Sequence, residues 1–265
     1  MITLGNITID GSEFGGELIP QARRTWGHRY GLDKRTEEME RLAARNLGVQ
    51  TLADLYERSV EFYLRFLTTN PVGGLVLSAI QQYGHRRALR ILPLRGEVYA
   101  EALGFSGGDA ILGYSPETWW HFGHLQGADP LNDFSSDDVL LHELVHAMNG
   151  IAGKTNKHST VTLQQHHLQD IEEFSAVLIT NLYLSCVGRD YSLRGDHRIP
   201  FHRLPANLRD PDVFARVFDY ELDYYFIRMD QHFVNALVQL PCRFNPVTRW
   251  KDIKDEEKRK RPRYF

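Results

Sequence analysis

The chain has 265 residues, 42% of them hydrophobic and 25% charged, with a formal net charge of −3 at pH 7. That is the make-up of an ordinary globular protein, long enough for one large core with an appended part. It carries no basic excess to neutralise phosphates, so nucleic acid is not an expected partner, and no apolar run is long enough to span a membrane.

From the start, residues 2–10 alternate apolar and polar around Gly5-Asn6, the pattern of a short hairpin or an edge strand. The opening MITLGNITIDGSEFGG lacks a basic stretch followed by an apolar one, so no cleaved secretory signal is expected and a cytoplasmic setting is. Residues 11–31 read as loop. DKRTEEMERLAARN, residues 33–46, has helical spacing at Met39, Leu42 and Ala43 and meets a stop at Gly48. A stronger amphipathic helix is predicted over 51–69, where Leu52, Leu55, Tyr56, Val60, Phe62, Tyr63, Phe66 and Leu67 recur at three and four. Pro71 opens another, predicted over 72–92, with Leu75, Val76, Ala79 and Ile80 turned inward. His85-Arg86-Arg87 reads as a solvated face of it. Strands are predicted over 97–103 and 109–114, separated by the turn 104–108. Trp119 to His124 form an aromatic cluster that either lines a cleft or packs; His121 and His124 stay outside the metal set.

His142-Glu143-Leu144-Val145-His146 matches the zinc pattern HExxH. Ser135, Ser136, Asp137 and Asp138 offer an N-cap and first-turn carboxylates, and Asn149-Gly150 a stop. On a helix His142 and His146 project from one face, about one turn apart. Two neutral imidazoles at that spacing can share a tetrahedral Zn²⁺ at roughly 2.0–2.1 Å each. Glu143 lies about 100° round from His142, where a general base for a metal-activated water belongs. A catalytic zinc needs a third ligand, and Glu172-Glu173 open the next apolar helix, predicted over 172–186. Glu173 shares a mostly apolar stripe with Ala176, Val177, Thr180 and Leu184, while Glu172 aligns with Ser175, Ala176, Ile179 and Tyr183, the two stripes overlapping at Ala176. The candidate ligands are therefore His142, His146 and Glu173.

Of His166-His167, just ahead of that glutamate pair, His166 is the candidate for stabilising an oxyanion as a second catalytic residue beside Glu143. Tyr224, Tyr225, Arg228 and His232 are further candidates for that role, each read first as a packing or surface residue. Asp196 either supports a metal-binding histidine from behind or pairs with Arg194 or Arg198 on the surface. Two cysteines are too few for a disulfide framework, and Cys186 reads as a small core residue. Helical spacing returns over 213–220 and 224–238 after a turn-rich linker, 205–212. The end, KDIKDEEKRKRPRYF, reads as a solvated or disordered tail.

HExxH followed by a glutamate on a second helix in the form ExxA, here Glu173-Phe174-Ser175-Ala176, resembles the gluzincin arrangement of zinc metallopeptidases. EEFSAVLITNLYL is similar to the second-helix segment of bacterial effector and toxin metallopeptidases: NleD-like effectors, secretion-system toxin domains and, more distantly, anthrax lethal factor. The stretch from Tyr191 to Arg198 resembles an Arg-x-Asp-His stretch of the toxin domains. The resemblance covers roughly residues 96–200. It implies a zincin-like core, one Zn²⁺, a protein or peptide substrate, and an edge strand along the cleft, for which DAILGYSPETW is the candidate. It also implies an effector or toxin exported by a specialised secretion system, with an immunity or inhibitor protein as a partner.

The expected fold is α+β and mostly helical with a small sheet: a helical part over 1–92, a zincin-like core over 93–240, and a segment with a charged tail over 241–265. The expected function is that of a zinc metallopeptidase. The competing readings are a catalytically inactive zincin-fold binding module and a zinc hydrolase of a small molecule or cell-wall peptide.

Overall fold

The computed structural model describes residues 1–14, 51–84, 87–94, 100–106, 109–114, 136–196 and 202–260, with positions 45, 48, 49 and 116 besides. Outside them lie most of the loop read over 11–31, the helix over 33–46 apart from Arg45, His85-Arg86, the cluster 119–124, and His197-Arg198. The fold is α+β, mostly helical with one small mixed sheet. The chain divides into two compact units, Met1–Thr69 with Leu77–Ala152, and Asn70–Val76 with Gly153–Phe265.

The first unit opens with the expected hairpin. Strands β1 (Ile2–Leu4) and β2 (Ile7–Ile9) pair Leu4 with Ile7 around a two-residue turn in which Gly5 takes φ +63°. Helix α1 (Leu52–Thr68) starts at Thr51, whose hydroxyl accepts the Asp54 N–H at 3.1 Å. Its buried stripe is Tyr56, Val60, Leu64 and Leu67. Phe62 and Phe66, expected on that stripe, are 55% and 43% exposed. Each sits two residues beyond a stripe member, about 200° round the helix, and so faces away.

Helix α2 (Pro71–Tyr83) is shorter than the sequence reading, which ran it to residue 92. Leu89–Leu92 is strand β3, with Leu89 and Ile91 fully buried and Arg90 and Leu92 half-buried between them. The run LRIL satisfies a buried helix and a strand equally, and its period of two decides for the strand. With β4 (Glu101–Ser106) and β5 (Asp109–Gly113) the sheet order is β1-β2-β3-β5-β4. β2, β3 and β5 run parallel, and the two outer pairs are antiparallel. This corrects the expectation for DAILGYSPETW. Strand β5 is hydrogen-bonded on both sides, so it has no backbone groups left for a peptide; β4 is the edge beside it among the described residues.

Helix α3 (Ser136–Ile151) packs on α1 and on strands β4 and β5. The Tyr114 hydroxyl, fully buried at the end of β5, donates to the Ser136 carbonyl at 2.6 Å and fixes where α3 begins. Asn149-Gly150 does not stop it. Asn149 is 0% exposed inside the last turn, and the left-handed residue that ends the helix is Gly153, at φ +66°.

In the second unit, α4 (Val161–Gln165) is capped by Thr160, and α5 (Ile171–Cys186) by Asp170, whose carboxylate accepts the Glu173 N–H at 3.0 Å. A bridge between Arg194 and Arg203 closes a hairpin-like loop after α5. The Asn181 side chain grips it like a strand, accepting the Arg194 N–H at 2.7 Å and donating to its carbonyl at 2.9 Å. Helices α6 (Pro211–Val217), α7 (Asp219–Phe226), α8 (Gln231–Val238) and α9 (Pro246–Lys260) follow. The charged end is thus a helix through Lys260, where the sequence suggested a solvated tail. Val247, Trp250 and Lys254 make its inner stripe: the Trp250 N–H reaches Asp223 at 2.6 Å and Lys254 reaches Asp219 at 2.8 Å. Cys186 is no lone core residue, because a disulfide joins it to Cys242 and ties the end of α5 to the segment before α9. Among the described residues no helix is long and apolar enough to cross a membrane.

Candidate metal centre

Helix α3 buries the motif that its sequence announced. His142 and Glu143 are 6% and 8% exposed, and His146 is half-buried. The two imidazoles stand edge to face, with their Nε2 atoms 3.2 Å apart. Two nitrogens each 2.0–2.1 Å from one tetrahedral ion would lie about 3.3 Å apart, so the pair is spaced to share one. Glu173 offers a carboxylate oxygen to the same place: the ligand atoms of His142, His146 and Glu173 all lie within 4.8 Å of one another. Two imidazoles and one carboxylate are a donor set that leaves a fourth position of a tetrahedral ion for water or substrate.

The neighbouring carboxylate has other work. Glu172 is 3% exposed; its side chain accepts the Asn156 N–H at 3.1 Å, and its own N–H donates to the Asn156 carbonyl at 3.0 Å. Asn156 carries no signal in the sequence, because a loop residue that pairs with a helix start leaves no periodic mark.

His166 caps the end of α4, half-buried, with its ring centroid 5.1 Å from that of Phe218. Burial first, then the charge of His167, pushes its pKa below the ordinary 6.5, against a smaller upward pull from Glu221. Among the other donor candidates, Tyr224 and Arg228 share a crevice with Lys154 and Glu172. The Arg228 guanidinium lies 3.6 Å from the Tyr224 ring centre. Its hydrogen bond, then one from Asn156, holds the Tyr224 hydroxyl below its ordinary pKa. Tyr225 is core at 5% exposure, and His232 stands in solvent on the first turn of α8.

Asp196 is not at the surface. It is 1% exposed, and its carboxylate accepts the His202 backbone N–H at 3.2 Å and meets the His202 ring Nδ1 at 2.7 Å. Arg194 is equally withdrawn, at 3%. The sequence reading offered Asp196 a metal-binding histidine, Arg194 or Arg198, and did not foresee His202, brought across the loop by the chain reversal.

Comparison with protein-family models, curated proteins and solved structures finds no match. The family resemblance rests on the motif residues alone. The same three donors suit several divalent ions.

Proposed function

We propose that this protein is a zinc-dependent metallopeptidase that hydrolyses peptide bonds in a protein substrate, built on a zincin-like core. The observation that carries this reading is the gathering of His142, His146 and Glu173 around one point, with Glu143 buried on the same helix. A zinc ion held there would supply a Lewis acid for the attacking water and the scissile carbonyl. Glu143 is the one acid in HExxH that the donor set leaves over. It takes the proton of the water and returns it to the leaving amine. The edge of β4, unpaired among the described residues and belonging to the sheet that α3 packs against, suits an extended peptide held by backbone hydrogen bonds. His166 is the donor proposed for the developing oxyanion; held neutral by burial, it keeps one ring N–H to give. Tyr224 and Arg228 compete for that role.

The motif resemblance extends the proposal to a bacterial effector or toxin, made in the cytoplasm, exported by a specialised system and restrained by an immunity or inhibitor protein. Against an inactive binding module stands Glu143, for which a purely structural metal site has no use. Against a small-molecule hydrolase stands the open strand edge.

The test is metal analysis of purified protein together with a search for new protein termini after its addition to a proteome. About one zinc per chain and new termini that vanish with Glu143→Gln are expected. Protein that carries no zinc and takes none up overturns the reading.

A further inference from the structure

The chain has two cysteines, and both belong to the second unit. Cys186 closes α5 and Cys242 precedes α9, yet the fold brings their Cα atoms to 4.8 Å and joins the sulfurs across 56 positions of sequence. That separation lies inside the range a disulfide accepts without moving backbone. Both residues are half-buried, and Pro241 and Arg243, on either side of Cys242, are exposed. A small thiol or disulfide in solution can therefore reach the bond.

Other contacts hold the same two segments together. One residue before Cys186, the Ser185 hydroxyl accepts the Phe244 N–H at 2.9 Å and donates to Asp190 at 2.6 Å. The Phe244 ring is 2% exposed and stands edge-on to Phe214, with centroids 5.3 Å apart. Asn245 braces the stretch from within. Its amide donates to the Leu237 and Leu240 carbonyls, and its carbonyl accepts the Val247 and Thr248 N–H groups. None of these contacts involves a sulfur, so reduction removes none of them directly and leaves the two thiols facing each other. The unit also has a core of its own in Phe174, Phe214, Phe218 and Phe226, each at most 3% exposed. A cross-link on such a body limits the unfolded chain more than it shapes the folded one.

We propose that Cys186 and Cys242 form a redox latch: a dithiol in the reducing compartment where the chain is made, and a disulfide, on the same fold, in an oxidising compartment where it works. Disulfides persist in the second setting and are rare in the first. That the chain passes from one to the other rests on the export reading above; the couple itself rests on the cysteines alone. Closure is a thiol–disulfide exchange with a low-molecular-weight disulfide of the glutathione class. One cysteine thiolate attacks a sulfur of the oxidant, breaks its S–S bond and expels half of it as a thiol. The other cysteine thiolate attacks the mixed disulfide and expels the second half. The oxidant gains two electrons and, from the two cysteine thiols, two protons; the protein gains one S–S bond.

The test equilibrates the full-length protein in two glutathione buffers, one poised like a cytosol and one like a secretory compartment. Acid quenching, alkylation and mass measurement then count the free thiols. Two are expected in the first buffer and none in the second, with the single glutathione adduct a minor species in both. The circular dichroism spectra of the two forms should coincide. At a common denaturant concentration the unfolded-to-folded ratio should be about 10²- to 10³-fold higher for the reduced form. Cys242→Ser should lose the transition and carry one thiol or one glutathione adduct. Ser185→Ala, which strands the Phe244 amide, should keep the transition but close from the dithiol at least threefold more slowly. None of these readouts reports zinc, so protein without metal would end the metallopeptidase reading and leave the latch standing. Two thiols in both buffers, a disulfide in both, a native spectrum lost on reduction, equal stability of the two forms, or closure as fast without Ser185 overturns the proposal.

Discussion

Helix α3 keeps Asp137, Asp138, His142 and Glu143 at 5%, 1%, 6% and 8% exposure, whereas α9 leaves Glu256, Glu257, Lys258 and Arg259 in solvent. The residue types are much the same, and the surroundings separate their uses. Burying an ionisable group costs several kcal/mol unless something meets it inside, so groups kept on α3 have an interior task. Asp137 and Asp138 face the positive end of their helix; His142 and Glu143 lie too deep along it for that and serve the proposed metal and proton chemistry. On α9 the same types cost nothing to keep. They pair along the helix, as Lys251 does with Asp255 at 2.6 Å, for at most about 1 kcal/mol each.

The sharpest way to break this contrast is at Glu143. Glu143→Gln keeps shape and metal but removes the proton acceptor, so kcat/KM on a protein substrate should fall by about 10²- to 10⁴-fold or more. Activity within a few-fold of the parent would show that burial on α3 serves structure alone. Next come the paired carboxylates. Glu173→Ala should lose bound metal by elemental analysis, whereas Glu172→Ala should retain it and lose about 1–3 kcal/mol of stability, by stranding the Asn156 amide. Metal lost from the second variant and kept by the first would reverse the assignment.

On the α9 side, the effects should appear in stability and not in metal content. The bond between Cys186 and Cys242 spans 56 positions of sequence, and the loop-entropy model gives it about 4 kcal/mol. Denaturant titration of Cys186→Ser/Cys242→Ser against the parent measures it; equal midpoints would show that the cross-link does not constrain the unfolded chain. The smallest effect belongs to Lys254→Met, at about 1 kcal/mol. Burial alone pulls this ammonium down, but the hydrogen bonds it donates to Asp219 and Asp223 outweigh it and raise its pKa above the ordinary 10.5. With the folded value raised, the contribution is fully present below pH 10.5 and fades as pH climbs through the folded value. Melting curves of variant and parent should therefore converge in strong alkali, and a constant gap would mean that the lysine stem matters more than its charge.

What could be read in the sequence was local. A four-residue histidine spacing, the three-and-four recurrence over 51–69 and a glutamate pair opening an apolar run are each local patterns on one helix. What escaped was set by distant partners. Lys254 looks like a member of a solvated run until Asp219, 35 positions away, is brought beside it. The two cysteines carry no spacing signal at a separation of 56. Strand order is likewise invisible in an apolar run, and so the wrong strand was chosen for the edge.

The parallel pairing of β2 with β3 has a consequence in time. Ile7 and Ile9 end up fully covered, but their neighbours in the sheet, Leu89 and Ile91, are synthesised about 80 residues later. At roughly 5–20 residues per second, a ribosome leaves the first hairpin waiting for several seconds with one edge bare. The opening strands cannot start the folding of their own sheet. They wait for β3 before they can join it, and an apolar edge left open that long is where a nascent copy would meet a neighbour or a chaperone.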